Sequence, residues 1–237
     1  MNVAASNRAA YPANAGEPSA GLDRLDGIGA IRHLAPHEPL ALEGDSARRF
    51  HRVLSGTIAA YKATADGRRQ IVSFFFPGDL VGLTVGERYP YSAEAIDRAS
   101  VRSVPHARLR ELAADAPALR EDLLDALRRE VSDAQERLLW LGRKTARERL
   151  AGFILECDGR IGQRDRGGRR LVPLPMSQLE IGDYLGLASE TVSRALAEFV
   201  RDGAIDIVRP FSGLVIRDFS CLERAADEGA LQAGTRT

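Results

Sequence analysis

Cysteine is scarce in this chain: 237 residues hold two, Cys157 and Cys221, far apart and in no C-x-x-C pair. That excludes a disulfide framework and fits a reducing compartment, so a cytoplasmic location is expected. Two thiols also fall short of the four ligands an iron–sulfur cluster normally takes. Histidine is sparse as well, at His33, His37, His51 and His106. Pro36 and Pro39 argue against a helix presenting His33 and His37 as paired ligands. No H-x-H followed by glutamate, as a cupin-type metalloenzyme requires, is present. Nor does a G-x-S-x-G, Walker A or Rossmann glycine motif occur in a suitable context. An enzyme is therefore not expected, and no catalytic, cofactor or metal residues are assigned. No stretch approaches the length of a membrane span, so no membrane partner is expected. Met1 to Gly21, rich in Ala, Pro and Asn, lacks the apolar core of a signal peptide and reads as a disordered tail. Finally, 33 basic residues balance 33 acidic ones, so no global basic field announces nucleic acid.

What is there is organised in blocks. Gly44, Gly56, Gly67 and Gly78 punctuate the first half at intervals of eleven or twelve residues. Between and beyond them lie β-prone runs at Phe50 to Leu54, Thr57 to Tyr61, Ile71 to Phe76 and Ser100 to Val104. Glu43-Gly44-Asp45, Ala65-Asp66-Gly67 and Pro77-Gly78-Asp79 supply turns. Short strands at this spacing predict a sandwich or jelly-roll barrel over residues 22–115. Phe74, Phe75 and Phe76 read as its core.

The period then changes. Leu124, Leu127, Val131, Ala134, Leu138 and Leu141 alternate three and four apart, with no Gly or Pro from Ala118 to Leu141. A narrow 3.5-residue stripe suits a partner helix better than a broad core. The six residues are therefore assigned to a homodimer interface on a helix over 116–142. The bland alternative is a long helix packed on its own domain. Gly142 is read as a break and Trp140 as packing at the domain junction. From Lys144 to Glu156 runs an amphipathic helix, with Ala146, Leu150, Phe153 and Ile154 inward. Cys157 follows it and reads as a half-buried structural thiol. Asp158 to Arg170 is a Gly/Arg-rich loop or hairpin, and Leu171 to Pro175 is extended.

The most informative segment is Gly182-Asp183-Tyr184-Leu185-Gly186-Leu187-Ala188-Ser189-Glu190-Thr191-Val192-Ser193-Arg194. Ser177 with Glu180 forms a capping box for the first helix, a Gly-Leu turn ends it, and Ser189 caps a second helix to about Arg201. Ala204 to Val208 and Gly213 to Ile216 flank Arg209-Pro210-Phe211-Ser212 as the wing of a winged helix-turn-helix over 143–219. Residues 220–237 read as a flexible tail. Glu190, Ser193 and Arg194 share one face of the second helix. A carboxylate, a hydroxyl and a guanidinium make a poor core and a good reader of base edges. The alternative is a simple Glu190–Arg194 surface pair, worth only about 0.2–0.5 kcal/mol. From Arg143 to Arg170 nine basic residues face four acidic ones, whereas from Met176 to Arg217 four face six. Phosphate neutralisation must therefore draw on the flanking segment. Arg143, Lys144, Arg169, Ser189, Thr191 and Arg209 are the candidates.

The order β-roll, long helix, winged helix-turn-helix, with Asp183-Tyr184-Leu185-Gly186-Leu187 and Glu190-Thr191-Val192-Ser193-Arg194, resembles the Crp/Fnr superfamily of bacterial transcription regulators. Arg69-Gln70-Ile71 and Phe76-Pro77-Gly78-Asp79-Leu80-Val81-Gly82 look like its strand and turn before the effector pocket. The Glu-x-x-Ser-Arg frame is similar to the FNR and FixK-type branch. By that resemblance a homodimer binds double-stranded DNA at an inverted repeat of TTGAT-like half-sites and works with RNA polymerase. Arg194 would contact guanine, Glu190 cytosine or its neighbour, and Ser193 thymine. The family's cluster-binding cysteines are lacking before Cys157. The cyclic-nucleotide segments correspond to Gly82-Leu83-Thr84 and Tyr91-Ser92-Ala93, without the ribose carboxylate or the phosphate arginine. The resemblance thus implies a FixK-like activator without a bound cofactor. The rival version is a haem- or nucleotide-gated regulator of the same superfamily.

Overall fold

The computed structural model describes residues 21–64, 67–84, 86–165, 167–208 and 212–233, with side chains described as far as 227. Two compact units divide between Leu138 and Leu139, inside the long helix rather than at its end.

The first unit opens with a short 3-10 helix, Leu22–Leu25, followed by eight strands. These are β1 (Ala30–Leu34), β2 (Pro39–Ala41), β3 (Arg49–Ser55), β4 (Ile58–Ala63), β5 (Arg69–Phe75), β6 (Leu80–Val81), β7 (Ser92–Ala95) and β8 (Ala99–Pro105). They form two antiparallel sheets, ordered β1-β8-β3-β6 and β2-β7-β4-β5. Alternation puts Val53, Ile58, Phe75, Val81 and Val101 between the sheets, where all are buried. The expected β-roll is therefore present, and each of the four β-prone runs falls on a strand. The tripeptide Phe74 to Phe76 is buried as expected. Gly78 has φ +98° in its turn, a backbone region open to glycine. The Ala65-Asp66 half of another expected turn, and the expected tail up to Ala20, lie outside the described residues.

Two helices close this unit: α1 (His106–Asp115) and α2 (Pro117–Arg143). With 27 residues, α2 is about 40 Å long at the ordinary rise. It carries two stripes. Leu119, Leu123 and Ala126 pack against Leu22, Leu25, Phe50, Val104 and Leu109 of its own unit. On the other side Leu124, Leu127, Val131, Ala134 and Leu138 are exposed, Val131 to 57% and Leu138 to 70%. The bland alternative is thus met by a different set of residues, and among the described residues nothing covers the 3.5-period stripe from Leu124 to Leu138. Helix α2 continues through Gly142, because one glycine weakens a helix without stopping it.

The second unit comprises the last turn of α2 followed by α3 (Ala146–Ile161), β9 (Gln163–Arg164), β10 (Arg170–Pro173), α4 (Gln178–Leu185), α5 (Ser189–Arg201), β11 (Ile205–Val208), β12 (Gly213–Ile216) and α6 (Phe219–Ala233). Its sheet runs β11-β12-β10-β9. Thr145 and Glu148 form a capping box that starts α3, and β9 with β10 makes the segment after it a hairpin. Helix α6 is a correction: residues from 220 onward were expected to form a flexible tail. Leu222, Ala225 and Ala226 are buried there, and Lys144 Nζ donates to Ala226 O at 2.9 Å. The polar, Ala-rich composition hid a helix that needs only one narrow apolar edge to dock. Trp140 is buried, with the Lys144 ammonium 5.5 Å from its ring centre.

Candidate nucleic-acid interface

The interface begins with α4. Ser177 Oγ accepts from Glu180 N, and the Glu180 carboxylate accepts from Ser177 N. Ile181, Tyr184 and Leu185 then turn inward. Tyr184 packs on Phe153, with ring centres 5.5 Å apart, and its hydroxyl donates to Glu156 at 3.2 Å. Two glycines shape the turn that follows. A Cβ on Gly182 would lie 2.5 Å from Leu187 O, so the next segment can cross only a bare backbone there. Gly186 ends α4 in the left-handed region, at φ 65° and ψ 42°.

Helix α5 follows with a strict division of faces. Val192, Ala195, Leu196 and Phe199 are buried. Glu190, Ser193, Arg194, Ala197, Val200 and Arg201 are exposed on the opposite side. The division follows from spacing: residues three and four apart stack on one face of a 3.6-residue helix. All three predicted base-contact residues therefore lie together in solvent. Arg194 Nη2 donates to Thr191 Oγ1 at 3.2 Å. Among the described residues Glu190 makes no ion pair with Arg194, so both groups are available to another molecule.

One local expectation is corrected. Ser189 does not cap α5: Ala188 holds the cap position without a side-chain bond, and Ser189 is the first helical residue. The other phosphate candidates divide. Arg143 is exposed at the end of α2 and has no ion-pair partner among the described residues. Lys144 is engaged with Ala226 O. Arg169 is exposed but paired with Asp165 at 2.6 Å. Thr191 is half-buried as the acceptor from Arg194. Arg209 lies outside the described residues, as do Pro210 and Phe211.

Much of the flanking positive charge is used internally. Arg147 pairs with Asp202 at 2.6 Å and Glu198 at 3.6 Å, and lies over the Phe199 ring. Arg170 pairs with Asp158 and lies over Phe219. Burial raises the Asp158 carboxyl above the ordinary value, with Arg170 opposing that rise. Arg201, at the end of the exposed face, was passed over in the sequence although it continues the i, i+4, i+7, i+11 run from Glu190. Cys157 is fully buried, deeper than expected, and burial pushes its thiol well above the ordinary range. Leu141, assigned to the dimer stripe, is 40% exposed and its Cδ2 lies 3.0 Å from where a Gly186 Cβ would be.

In the β-roll, the stretches that resemble nucleotide-binding segments are occupied by the chain itself. Gly82 N donates to Tyr91 Oη at 3.2 Å, and a Gly82 Cβ would lie 2.9 Å from the Tyr89 ring. Tyr91 is half-buried, and burial raises the pKa of its hydroxyl to about 12. A phosphate placed here would meet no arginine from Tyr91-Ser92-Ala93, and an unpaired buried charge is costly. These residues do not fit a cyclic nucleotide. Among the described residues no group of three or more His, Cys, Asp or Glu could hold a metal ion. No helix among them is long and apolar enough to cross a membrane.

Residues 148–225 match the family described as the Crp-like helix-turn-helix domain, and residues 31–116 the cyclic nucleotide-binding domain. The chain is 36% identical over 213 residues to the nitrogen fixation regulation protein FixK of Bradyrhizobium diazoefficiens, covering 88% of this chain and 86% of that one. It is 40% identical over 187 residues to the transcriptional activator protein Anr of Pseudomonas aeruginosa, covering 78% and 76%. Among solved structures, FixK2 from Bradyrhizobium japonicum superposes with a TM-score of 0.77 at 36% identity, over 84% of this chain and 97% of that one.

Proposed function

The chain belongs to the Crp/Fnr family of DNA-binding transcription regulators, and we propose that it acts as a FixK-like activator, a homodimer on an inverted repeat of TTGAT-like half-sites. One observation carries the reading: Glu190, Ser193 and Arg194 are exposed together on a helix whose other face is buried. Arg194 forks onto guanine, Glu190 accepts from the cytosine amino group or its neighbour, and Ser193 meets thymine. Arg143, Ser189, Thr191 and Arg209 serve the phosphates, and Lys144 and Arg169 do so only after leaving Ala226 and Asp165. The activator role rests on relatives named as transcriptional activators.

The exposed apolar stripe of α2 supports the dimer. Leu124, Leu127, Val131, Ala134 and Leu138 form an uncovered apolar stripe, and a second copy offers the same stripe in return. Two such helices then present two α5 faces to major grooves about 34 Å apart. Residues 22–115 serve as the β-roll, 116–142 as the dimer helix and 143–219 as the DNA-binding part. The lack of a phosphate arginine in Tyr91-Ser92-Ala93, and the Gly82 N bond to Tyr91 Oη, favour action without a cyclic nucleotide. RNA polymerase is the further partner, and the cytoplasm the place of action. Fluorescence anisotropy with a duplex of inverted TTGAT half-sites, against a scrambled duplex, tests the reading. Equal affinity for both would defeat it.

A further inference from the structure

We propose that Arg149 is the positioning residue of the recognition helix, clamping the turn before α5 to the end of α2; this rests on the DNA-binding face assigned above. Its guanidinium donates to three carbonyls: Leu185 O from Nη1 at 2.9 Å, Leu141 O from Nη2 at 3.0 Å and Lys144 O from Nε at 3.0 Å. Leu185 is the last residue of α4, and Leu141 and Lys144 lie at the end of α2. Carbonyls at helix C-termini lack intrahelical partners and carry the negative end of the helix dipole. One cation thus satisfies two helix ends at once and ties them together.

The neighbourhood fits that role. Arg149 lies in the first turn of α3, held between the capping box at Thr145 and Glu148 and the buried pair Leu150 and Ala151. A Cβ on Gly186 would lie 3.0 Å from Leu141 Cδ2 and 3.6 Å from Arg149 Nη1, so the turn is fitted against both side chains. Only Gly186, Leu187 and Ala188 separate the clamped carbonyl of Leu185 from the start of α5. A shift of that carbonyl therefore displaces Glu190 first. The far end of α5 is held from the same turn of α3 by Arg147, through Asp202 and Glu198. Lysine cannot replace Arg149, because a point ammonium does not reproduce a planar fork that reaches three carbonyls.

The test uses the full-length protein and Arg149→Lys, with Arg149→Ala beside it. Affinity for the inverted TTGAT duplex and for a scrambled duplex is measured across a salt series, with light scattering and thermal melting as controls. Arg149→Lys is expected to lose about tenfold to a hundredfold in operator affinity. Its scrambled-DNA affinity and salt slope should not change, and it should remain folded and paired. Amide exchange over Gly186 to Ser189 should rise in the variant without DNA. Equal loss on both duplexes in Arg149→Ala, with a salt slope lower by about two for the two copies in the dimer, would make Arg149 a phosphate contact and overturn the proposal. Wild-type operator affinity in Arg149→Lys would overturn it as well, and so would failure of that variant to fold. A wild-type protein that ignores the operator would refute the DNA-face reading instead, and amide exchange would still judge the clamp.

Discussion

Truncating Arg194 separates recognition from folding more cleanly than any other single change. The side chain is exposed, and among the described residues it donates to Thr191 Oγ1. Surface changes of this kind usually move stability by no more than about 0.5 kcal/mol, so Arg194→Ala should melt like the parent. The loss on DNA should be large. A bidentate arginine–guanine contact discriminates by about 1–3 kcal/mol, and a symmetric dimer makes it twice. The two copies are far enough apart to add, giving about 2–6 kcal/mol, or about thirtyfold to over ten-thousandfold. Scrambled DNA offers no guanine in register and should lose little. Anisotropy titrations at fixed salt with both duplexes give the ratio directly. Arg194→Lys should recover only part of it, because an ammonium cannot fork. An unchanged ratio of operator to scrambled affinity would refute the reasoning. A marked fall in melting temperature would show that the side chain supports the fold.

Leu127→Asp or Val131→Asp puts a charge on the uncovered stripe of α2 and should give a folded monomer with weak operator binding; an intact dimer in light scattering would reject the stripe. Phe199→Ala empties the buried face of α5 and should cost about 3–5 kcal/mol of stability, read by chemical denaturation; a loss under 1 kcal/mol would contradict its burial. His51 is buried against Ser103 Oγ at 2.7 Å, and burial first, then the charges of Arg32 and Arg49, lowers its pKa from 6.5 to about 4. The unfolded chain then binds the extra proton between those values, so this contribution is complete above pH 6.5 and drains away as pH falls toward 4. His51→Gln should flatten that part of the stability profile if it folds like the parent, and a profile of unchanged slope would show that His51 is not its source. A thiol titration of the native protein should find Cys221 reacting well before Cys157, whose buried thiol resists ionisation; equal rates would contradict that burial.

Some of this was readable because the information is local. The capping box at Ser177 and Glu180, the Gly186 turn, and the faces of α5 depend on residues no more than a few positions apart. The β-roll was legible from turn chemistry and strand length, although the short strands β1, β2, β6 and β7 carried too little pattern to be noticed. The cap of α5 was misplaced by one residue, since serine is a good N-cap by composition and its actual geometry depends on the tight Gly186–Ala188 turn. Helix α6 was missed although its Ala, Leu, Glu and Arg residues favour a helix, because its apolar edge is narrow and has value only once α3 is there to receive it.

Charge and apolar stripes were visible in one dimension, but their use was not. Arg147, Arg149, Arg169 and Arg170 count alike among the nine cations of the flanking segment, and folding commits each of them to a carboxylate or a carbonyl. Leu141 completed a seven-residue repeat on paper, yet its side chain also lies beside Gly186. Period and composition report which face of an element is apolar and where its ends fall, because those follow from the backbone's own geometry. They do not report which charges are already neutralised, because that depends on partners brought near by packing from far along the chain, 55 positions away in the case of Arg147 and Asp202.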